Sequence, residues 1–228
     1  GLVMSMNSIA VLTSGGDAPG MNAAVRAVAR TAINAGYEVI GFMRGYNGLV
    51  NSDYMVMNIR TVSDTIHRGG TLLYTARCEE FKTEQGVKKG APVCNDLNIS
   101  GLVVIGGDGS FRGARDLTQY GIGCIGIPGT IDNDIGASQY SIGFDTAVNT
   151  VTEMVDKIRD TSQSHDRCTV VEVMGRRAGH IALHAGLATG ATAVLVPEVK
   201  FDFERDIVKR IVNAAESGKK HFVIMVAE

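Results

Sequence analysis

The chain has 228 residues, of which 45% are hydrophobic, and this is enough apolar material to fill a sizeable core and to exclude a disordered polymer. With 22 Lys and Arg against 24 Asp and Glu, the formal net charge is −2, so wholesale binding to nucleic acid or to an anionic membrane has no electrostatic support. Glycine is abundant at 28 residues while there are only 4 prolines, which favours tight turns beside a bound group over a flexible linker.

Short apolar strands alternate with segments of helical spacing along the chain. Strands are predicted at 8–12, 37–43, 102–105, 122–127, 169–173, 193–196 and 222–226, and helices at 22–35, 146–159 and 203–215. Fully apolar short strands between helices indicate parallel sheets covered on both faces, so the predicted fold class is α/β, doubly wound and mostly parallel, with two Rossmann-like domains. A glycine-rich loop gives way to a long helix near 136–140, which predicts domains at 1–138 and 139–228. The last strand ends the chain, so we expect the second domain to be incomplete.

The four cysteines, Cys78, Cys94, Cys124 and Cys168, have no Cys-x-x-Cys spacing and indicate reduced thiols rather than a disulfide framework. No apolar run approaches the ~18 residues that a membrane-spanning helix needs. The sequence therefore predicts a cytoplasmic protein with no membrane partner.

Glycine-rich loops follow three of the predicted strands. They are Gly15-Gly16-Asp17, Gly106–Ser110 and Pro128–Asp134. Glycine lets backbone N–H groups approach a phosphate closely, and a following helix adds the positive end of its dipole. Each loop alone is equally consistent with an ordinary turn between a strand and a helix. Three together, two of them with Asp beside Gly, favour a site for a phosphate and a metal ion.

Carboxylates in these loops are the candidates for metal binding and proton transfer. Asp108, between two glycines at a strand end, is suited to Mg²⁺, and it is equally suited to capping a helix that starts near Ser110. Asp132 and Asp134 are one residue apart, so in an extended chain both side chains would face one way. Two converging carboxylates raise the pKa of at least one, which suits a general base, whereas the alternative is an Asx-turn loop.

Three further patterns bear on dinucleotide, metal and anion binding. The segment Gly121–Gly126 matches the dinucleotide-binding letters GxGxxG, but it runs into a strand instead of opening a helix, so the mechanism fails. His180 and His184 lie four residues apart on a predicted helix without a third candidate ligand nearby, and packing or surface histidines are the favoured interpretation. Among the arginines, Arg176 beside Gly175 at a strand end is the anion-binding candidate favoured by its position alone.

These loops and Arg176 lie in motifs that resemble those of bacterial ATP-dependent 6-phosphofructokinases. The resemblance covers nearly the whole chain and rests on LTSGGDAPGMN (12–22), RGGT (68–71), IGGDGS (105–110), PGTIDND (128–134) and VMGR (173–176), in the family's order. It implies transfer of a phosphoryl group from Mg-ATP to the 1-hydroxyl of fructose 6-phosphate, giving fructose 1,6-bisphosphate and ADP in glycolysis. It also implies Mg²⁺ as the metal, ATP as co-substrate, and a homotetramer with effector sites for ADP or phosphoenolpyruvate.

The same resemblance assigns roles to individual residues. The implied catalytic residues are Asp132 as the base together with Thr130, Asp134, Arg176, Gly16 and Arg77, and the implied metal ligand is Asp108. The implied ATP-site residues are Gly16, Tyr46, Arg77, Cys78, Gly107, Asp108, Gly109 and Ser110. The implied sugar-phosphate residues are Thr130, Asp132, Met174, Gly175, Arg176 and Glu228, with Arg167 reaching the substrate of a neighbouring subunit. The implied effector-site residues are Arg26, Arg30, Arg159, Lys219 and His221.

Departures from the family's pattern bear on donor choice, regulation and turnover. Gly109 and Gly129 stand where the pyrophosphate-using relatives have a bulky acid and a Lys, and these small residues are expected to leave space for the adenosine of ATP. Effector-site residues of the family are replaced at Ile59, Thr192 and Ser217, which puts an allosteric response in doubt. The later family residues that grip the 6-phosphate lie beyond this sequence, so we expect the chain as given not to turn over by itself.

Three alternatives to an ATP-dependent 6-phosphofructokinase remain open from the sequence. They are a pyrophosphate-dependent enzyme of the same fold, a non-catalytic nucleotide-binding fragment, and a small-molecule kinase, such as an NAD or lipid kinase, that shares only the Gly-Gly-Asp-Gly loop. The Pro128–Asp134 loop and Met174-Gly175-Arg176 argue against the last of these.

Overall fold

The computed structural model describes residues 7–228, so the first six residues of the expected first domain lie outside the described residues. The chain forms two compact units, one ending at Thr130 and the other running from Ile131 to Glu228. This division lies within the Pro128–Asp134 loop of the sequence, whereas the expected domain boundary followed residue 138.

The first unit alternates strands and helices around a mostly parallel sheet. Its elements are β1 (Ser8–Thr13), α1 (Met21–Asn34), β2 (Glu38–Phe42), α2 (Tyr46–Asn51), β3 (Tyr54–Met57), a 3₁₀ helix (Glu80–Lys82), α3 (Glu84–Asp96), β4 (Ile99–Gly106), α4 (Asp108–Thr118) and β5 (Cys124–Thr130). The strand order is β3-β2-β1-β4-β5, with β1 parallel to β2 and β4, β4 parallel to β5, and β3 antiparallel to β2.

The apolar strands are buried because helices cover the sheet. Ala10, Val11 and Leu12 of β1 are fully buried, and Leu12 shares a cluster with Phe42 and Val104 from the neighbouring strands. A strand buried on both faces reads as a continuous apolar run, which is why the sequence predicts β1 and β4 so clearly.

The register places the carboxyl ends of three strands at one edge of this sheet. Thr13 lies opposite Ile105 between β1 and β4, and Gly106 lies opposite Pro128 between β4 and β5. The loops after β1 and β4 therefore start side by side, as expected for the ligand-binding edge of an open parallel sheet.

Two sequence predictions about this edge are wrong. The residues Pro128-Gly129-Thr130 were expected to form a loop, but they are the last three residues of β5 because pairing with β4 continues as far as Pro128. Helix α4 begins at Asp108 with Gly107 as its N-cap, and no side chain caps it. Asp108 therefore lies inside the first turn and does not cap the helix.

The second unit contains a smaller parallel sheet. Its elements are β6 (Ile142–Gly143), α5 (Phe144–Ser164), β7 (Cys168–Val173), α6 (His180–Ala188), β8 (Ala193–Leu195), a π-helical turn (Glu204–Val208), α7 (Lys209–Glu216) and β9 (Phe222–Ala227). The strand order of the sheet is β7-β9-β8. The core of this unit joins Phe144 and Val155 of the long helix α5 to Ile181 of α6 and to Val223 and Met225 of β9.

All four cysteines are free thiols, as the sequence predicted. Within residues 7–228, no helix has both the length and the apolar character that crossing a bilayer requires. The α/β fold class with mostly parallel sheets is confirmed in both units.

Candidate active site

The glycine loop after β1 lies against the start of α4. The Ser14 N–H donates to the Ile105 carbonyl at 2.9 Å, which continues the β1–β4 pairing into the loop. Gly15 has φ +87°, a conformation that strongly favours glycine, and a Cβ added there would lie 3.7 Å from Ser110 Oγ. The backbone of this loop is thus held at the carboxyl edge of the sheet with the exposed Gly16 beyond it.

Close packing brings the end of β4 and the first turn of α4 together. A Cβ on Gly106 would lie 2.5 Å from the Ser14 carbonyl oxygen and 2.6 Å from Ser110 Oγ, so only glycine fits there. A Cβ on Gly109 would meet nothing within 4 Å. The first turn of a helix presents N–H groups without intrahelical partners and the positive end of the dipole. This edge therefore has the geometry of an anion site.

Asp108 is the one carboxylate in this first turn, and it is exposed. Its side chain retains 62% of its accessible surface and pairs with Arg112 NH2 at 2.7 Å. Among residues 7–228 there is no cluster of three or more His, Cys, Asp or Glu side chains that could hold a metal ion. Mg²⁺ in proteins commonly keeps several waters and binds one or two carboxylates plus substrate phosphates. Asp108 therefore fits an ion that arrives with a polyphosphate.

Tyr46 packs against the first turns of α4. It is 5% exposed, its hydroxyl donates to the Ser110 carbonyl at 2.5 Å, and its ring stacks on Phe81 with centroids 4.1 Å apart. Burial raises the pKa of Tyr46, so the hydroxyl remains a donor at any physiological pH. A Cβ on Gly113 would lie 2.8 Å from the Tyr46 ring. Sequence analysis did not single out Phe81, because a lone aromatic outside a periodic segment carries no signal.

Arg77 and Cys78 follow on the segment that leads to the 3₁₀ helix. The Asn47 side chain donates to the Arg77 carbonyl at 3.2 Å, and the Arg77 side chain is exposed. Cys78 is half-buried and packs against the core of the first unit. The described contacts thus fix the backbone of Arg77 more firmly than its side chain.

The two small residues of the expected donor site, Gly109 and Gly129, have different surroundings. Gly109 is open, whereas Gly129 is buried, and a Cβ there would lie 3.0 Å from Ile105 Cγ2 and 3.5 Å from Met21 Cε. The missing side chain of Gly129 is therefore directed into the interior of the unit. It is close packing, and not space for adenosine, that requires a small residue at this position.

In the second unit, Asp132 lies beside Arg176. The Asp132 side chain is only 14% exposed, and its Oδ2 is 3.9 Å from Arg176 Nε. Arg176 has φ +57° after Gly175 at φ +143°, and a Cβ on Gly175 would lie 2.5 Å from the Ala178 carbonyl oxygen. A tight turn after β7 thus brings the guanidinium to the carboxylate.

The extended chain assumed between Asp132 and Asp134 is absent. Asn133 has φ +52°, so the two carboxylates cannot be placed on one side by strand alternation, and that premise is wrong. The side-chain oxygen Oδ1 of Asn133 accepts a hydrogen bond from the Ser141 N–H at 2.9 Å, and this bond closes the loop. Asp134 is exposed. The Asn133–Ser141 bond joins residues eight apart in sequence, so it is not an Asx turn, in which a side-chain oxygen accepts the N–H two residues on.

The carboxyl edge of the second sheet carries the residues that follow β7, Met174–Arg176, and the residue that follows β9, Glu228. Strands β7 and β9 run in parallel, and the Glu228 N–H donates to the Val173 carbonyl at 3.0 Å. Met174 is 67% exposed. Arg167 precedes β7 and so lies at the opposite end of that strand, where it lines a cavity of about 410 Å³ with Lys157 and Thr169.

Glu198, which sequence analysis missed, anchors the turn that carries Arg176. Its Oε1 accepts the Gly179 N–H at 2.7 Å, and a Cβ on Gly179 would lie 2.6 Å from its other carboxylate oxygen. The Gly179 N–H, with a smaller contribution from His180, lowers the pKa of Glu198. His180 and His184 both present their rings edge-on to Phe144, which is a packing role.

The expected effector residues are distributed over both units. Arg26 and Arg30 lie on α1 of the first unit. In the second unit, the Arg159 guanidinium donates to the Thr189 carbonyl at the end of α6, while its Nε and Thr192 Oγ1 are buried without a hydrogen-bond partner among the described residues. Lys219 and His221 lie in the loop before β9.

Comparison with known proteins identifies the family. The phosphofructokinase family model matches residues 8–228, and the chain belongs to this family. It is 57% identical over 223 residues to the ATP-dependent 6-phosphofructokinases of Halalkalibacterium halodurans and of Clostridium tetani, covering 98% of this chain and 70% of each relative.

Solved structures share the fold. The phosphofructokinase from Saccharomyces cerevisiae superimposes with a TM-score of 0.90 at 37% identity, covering 97% of this chain and 34% of the yeast chain. The pyrophosphate-dependent phosphofructokinase from Marinobacter aquaeolei gives a TM-score of 0.83 at 22% identity, covering 97% of this chain and 60% of that chain, and at this identity the likeness concerns the fold alone.

Proposed function

We propose that this chain is part of an ATP-dependent 6-phosphofructokinase, which transfers the γ-phosphoryl group of Mg-ATP to the 1-hydroxyl of fructose 6-phosphate. The products are fructose 1,6-bisphosphate and ADP. The observation that carries the proposal is the 57% identity to ATP-dependent 6-phosphofructokinases over 98% of the chain. The glycine-lined start of α4, which is open at Gly109, gives it chemical support.

The nucleotide is assigned to the carboxyl edge of the first sheet. Backbone N–H groups of the loop after β1, at Gly16, and of the first turn of α4, at Gly107–Ser110, bind phosphate oxygens there. Tyr46 holds the Ser110 carbonyl, and with it the turn, in place. Arg77 supplies the positive charge that the transferred phosphoryl group needs in the transition state. Cys78, which follows Arg77 in sequence, is the last of the proposed ATP-site residues.

Asp108 is the residue that would hold Mg²⁺, with water and phosphate oxygens as the other ligands. The ion, when bound, neutralises charge on the phosphates of ATP. To bind the ion, the Asp108 carboxylate must give up its ion pair with Arg112. Breaking this pair costs little free energy, because both side chains are exposed and stay solvated.

The acceptor chemistry is assigned to the loop around Asp132. As the 1-hydroxyl oxygen of the sugar forms its bond to the γ-phosphorus, the bond from that phosphorus to the bridging oxygen of ADP breaks, and the hydroxyl proton passes to the Asp132 carboxylate. Arg176, whose Nε is 3.9 Å from Asp132 Oδ2, stabilises the negative charge of the Asp132 carboxylate and of the sugar phosphate. Thr130 and Asp134 flank the base in sequence. Met174, Gly175, Arg176 and Glu228 are proposed to contact the sugar phosphate, and Arg167 that of a neighbouring subunit.

Assembly and regulation follow the family in this proposal. The protein is a cytoplasmic homotetramer, and Arg26, Arg30, Arg159, Lys219 and His221 bind ADP or phosphoenolpyruvate. The Arg159 bond to the Thr189 carbonyl already uses part of that guanidinium. Together with Thr192 in place of an acid, this favours a weak effector response.

A coupled assay that detects fructose 1,6-bisphosphate tests the activity on the intact protein. We expect turnover with Mg-ATP and fructose 6-phosphate and none when pyrophosphate replaces ATP. Turnover with pyrophosphate alone would instead identify a pyrophosphate-dependent enzyme. Nucleotide binding by titration without any sugar phosphorylation would identify a non-catalytic nucleotide-binding protein and reject the proposal.

A further inference from the structure

Residues 68–75, which we call the tethered segment, have no regular secondary structure, and one buried amide holds their first half. Asn22, 3% exposed at the start of α1, donates through Nδ2 to the carbonyls of Arg68 at 3.1 Å and Gly69 at 3.2 Å. Its Oδ1 accepts the Leu72 N–H at 2.7 Å. A buried amide with both its donor and its acceptor satisfied fixes the chain around it.

Two threonine hydroxyls hold the second half of the tethered segment against the end of β1. Thr13 Oγ1 donates to the Tyr74 carbonyl at 3.0 Å and lies 2.8 Å from Thr71 Oγ1. Since the Thr13 hydroxyl has only one proton, Thr71 is the donor in the second bond. Thr75 Oγ1 donates to the Gly15 carbonyl at 2.6 Å.

The backbone of the tethered segment is strained where these bonds converge. Tyr74 has φ +57°, which is uncommon for a residue other than glycine, and its exposed ring lies under the Arg44 guanidinium with 5.1 Å to the centroid. Such a conformation persists only where the surroundings over-determine it, and it is concentrated at functional sites. Burial does not explain it, because the Tyr74 side chain is 57% exposed.

We infer that Thr75 is a positioning residue: its hydrogen bond to Gly15 fixes the chain that leads to Arg77 relative to the glycine loop after β1. Thr75 is two residues before Arg77, and Gly15 directly precedes Gly16. The bond therefore sets where the guanidinium and the Gly16 backbone reach the transferred phosphoryl group. The inference rests on the proposed function for its catalytic meaning. Transfer of this kind depends on positioning, and a misplacement of about 1 Å can cost about a hundredfold in rate.

The test compares Thr75→Val, which removes the hydroxyl at constant shape, with Thr75→Ser, which keeps it, in the intact protein. We expect Thr75→Val to lower kcat for fructose 6-phosphate phosphorylation by about tenfold to a hundredfold with KM for the sugar changed less than about twofold. We expect Thr75→Ser, which keeps the hydroxyl, to have a kcat near the wild-type value. The matched control is Thr118→Val on α4, whose hydroxyl donates to the Arg115 carbonyl at 2.6 Å on the surface. A wild-type kcat in Thr75→Val, or an equal loss in Thr75→Ser or Thr118→Val, overturns the inference.

Amide hydrogen exchange keeps the inference separable from the proposed function. Without ligand, we expect the Ser14 amide, which donates to the Ile105 carbonyl at 2.9 Å and directly precedes Gly15, to exchange faster in Thr75→Val than in wild type, Thr75→Ser or Thr118→Val. Unchanged exchange in Thr75→Val would show that the Thr75 hydroxyl does not hold the glycine loop, independently of any measured activity. A wild-type protein that makes no fructose 1,6-bisphosphate overturns the proposed function and the catalytic meaning of Thr75, while exchange still decides whether the bond holds the loop.

Discussion

Asp132, the proposed proton acceptor, has a defined position and lies near a positive charge. Its side chain is largely covered at 14% exposure, and Arg176 approaches it from a turn whose backbone is fixed by Gly175 and by the Glu198 carboxylate. Because Arg176 itself is 76% exposed, it can contact a sugar phosphate without leaving the turn.

Replacing Asp132 by Asn removes the proposed proton acceptor at nearly constant shape. We expect kcat to fall by more than about a hundredfold, because this is the usual contribution of a general base, with little change in KM for fructose 6-phosphate. Steady-state kinetics of the intact protein measures both constants. The matched control is Asp166→Asn, an exposed position with φ +48° that Asn adopts readily. A variant Asp132→Asn with wild-type kcat would show that this carboxylate is not the base.

The Cys94 thiol makes stability depend on pH in the alkaline range. Burial, with a smaller effect of Cys124, raises the pKa of Cys94 from 9.0 to about 12. Since the folded chain favours the protonated thiol, its contribution is complete below about pH 9 and is lost as the pH rises towards about 12.

Urea unfolding at pH 8 and pH 10.5 measures this contribution. We expect the free energy of unfolding to fall more between these two values in wild type than in Cys94→Ala. Cys168 is exposed, so Cys168→Ala should keep the wild-type pH dependence. Equal pH dependence in wild type and Cys94→Ala would contradict the expectation.

At the level of elements, the strongly periodic or fully apolar segments were predictable from the sequence. Helix α1 and strands β1, β7 and β9 were predicted to within two residues of their observed bounds. Helix α3 was not, because it contains Pro92 and two glycines, and its stability comes from tertiary packing of Val87 and Cys94 on the core. The end of β5 was placed too early because Pro and Gly usually end strands.

The junction of β4 and α4 depends on close packing that a sequence pattern cannot reveal. Gly106 was read from the sequence as one of several loop glycines, yet it differs physically from Gly109. The first would place a Cβ 2.5 Å from the Ser14 carbonyl oxygen, and the second would place it in open space.

This contrast predicts opposite effects on stability. Gly106→Ala forces the end of β1 and the start of α4 apart, and we expect it to cost about 1–3 kcal/mol, as overpacking usually does. Gly109→Ala lies in the first turn of α4 without a clash, and we expect stability to be unchanged or to rise by up to about 1 kcal/mol. Urea unfolding of both variants against wild type gives the comparison, and equal destabilisation of the two would refute the packing explanation.

At the level of the whole molecule, the alternation of apolar strands and helices was sufficient for the α/β class, but not for the roles of individual residues. Tyr46, Arg77 and Glu228 are candidates only through the family resemblance, since nothing in their local spacing marks them. Asp108 was found from its glycine neighbours, although the helix began earlier than expected. The positions of Phe81, Glu198 and Thr75 depend on contacts between residues distant in sequence, which no local pattern encodes.

The 228-residue chain should itself bind Mg-ATP, because every residue proposed to bind the nucleotide lies in the first unit. At a ligand concentration about a hundredfold above Kd, binding stabilises the folded state by about 2.7 kcal/mol, which raises Tm by several degrees for a chain of this size. Differential scanning calorimetry with ATP and Mg²⁺, and again with excess EDTA, separates the metal-dependent part of the shift. We expect Asp108→Asn to lose that part, and Asp116→Asn on the same helix to keep it. Identical shifts with and without Mg²⁺ in wild type would show that Asp108 holds no ion in the nucleotide complex.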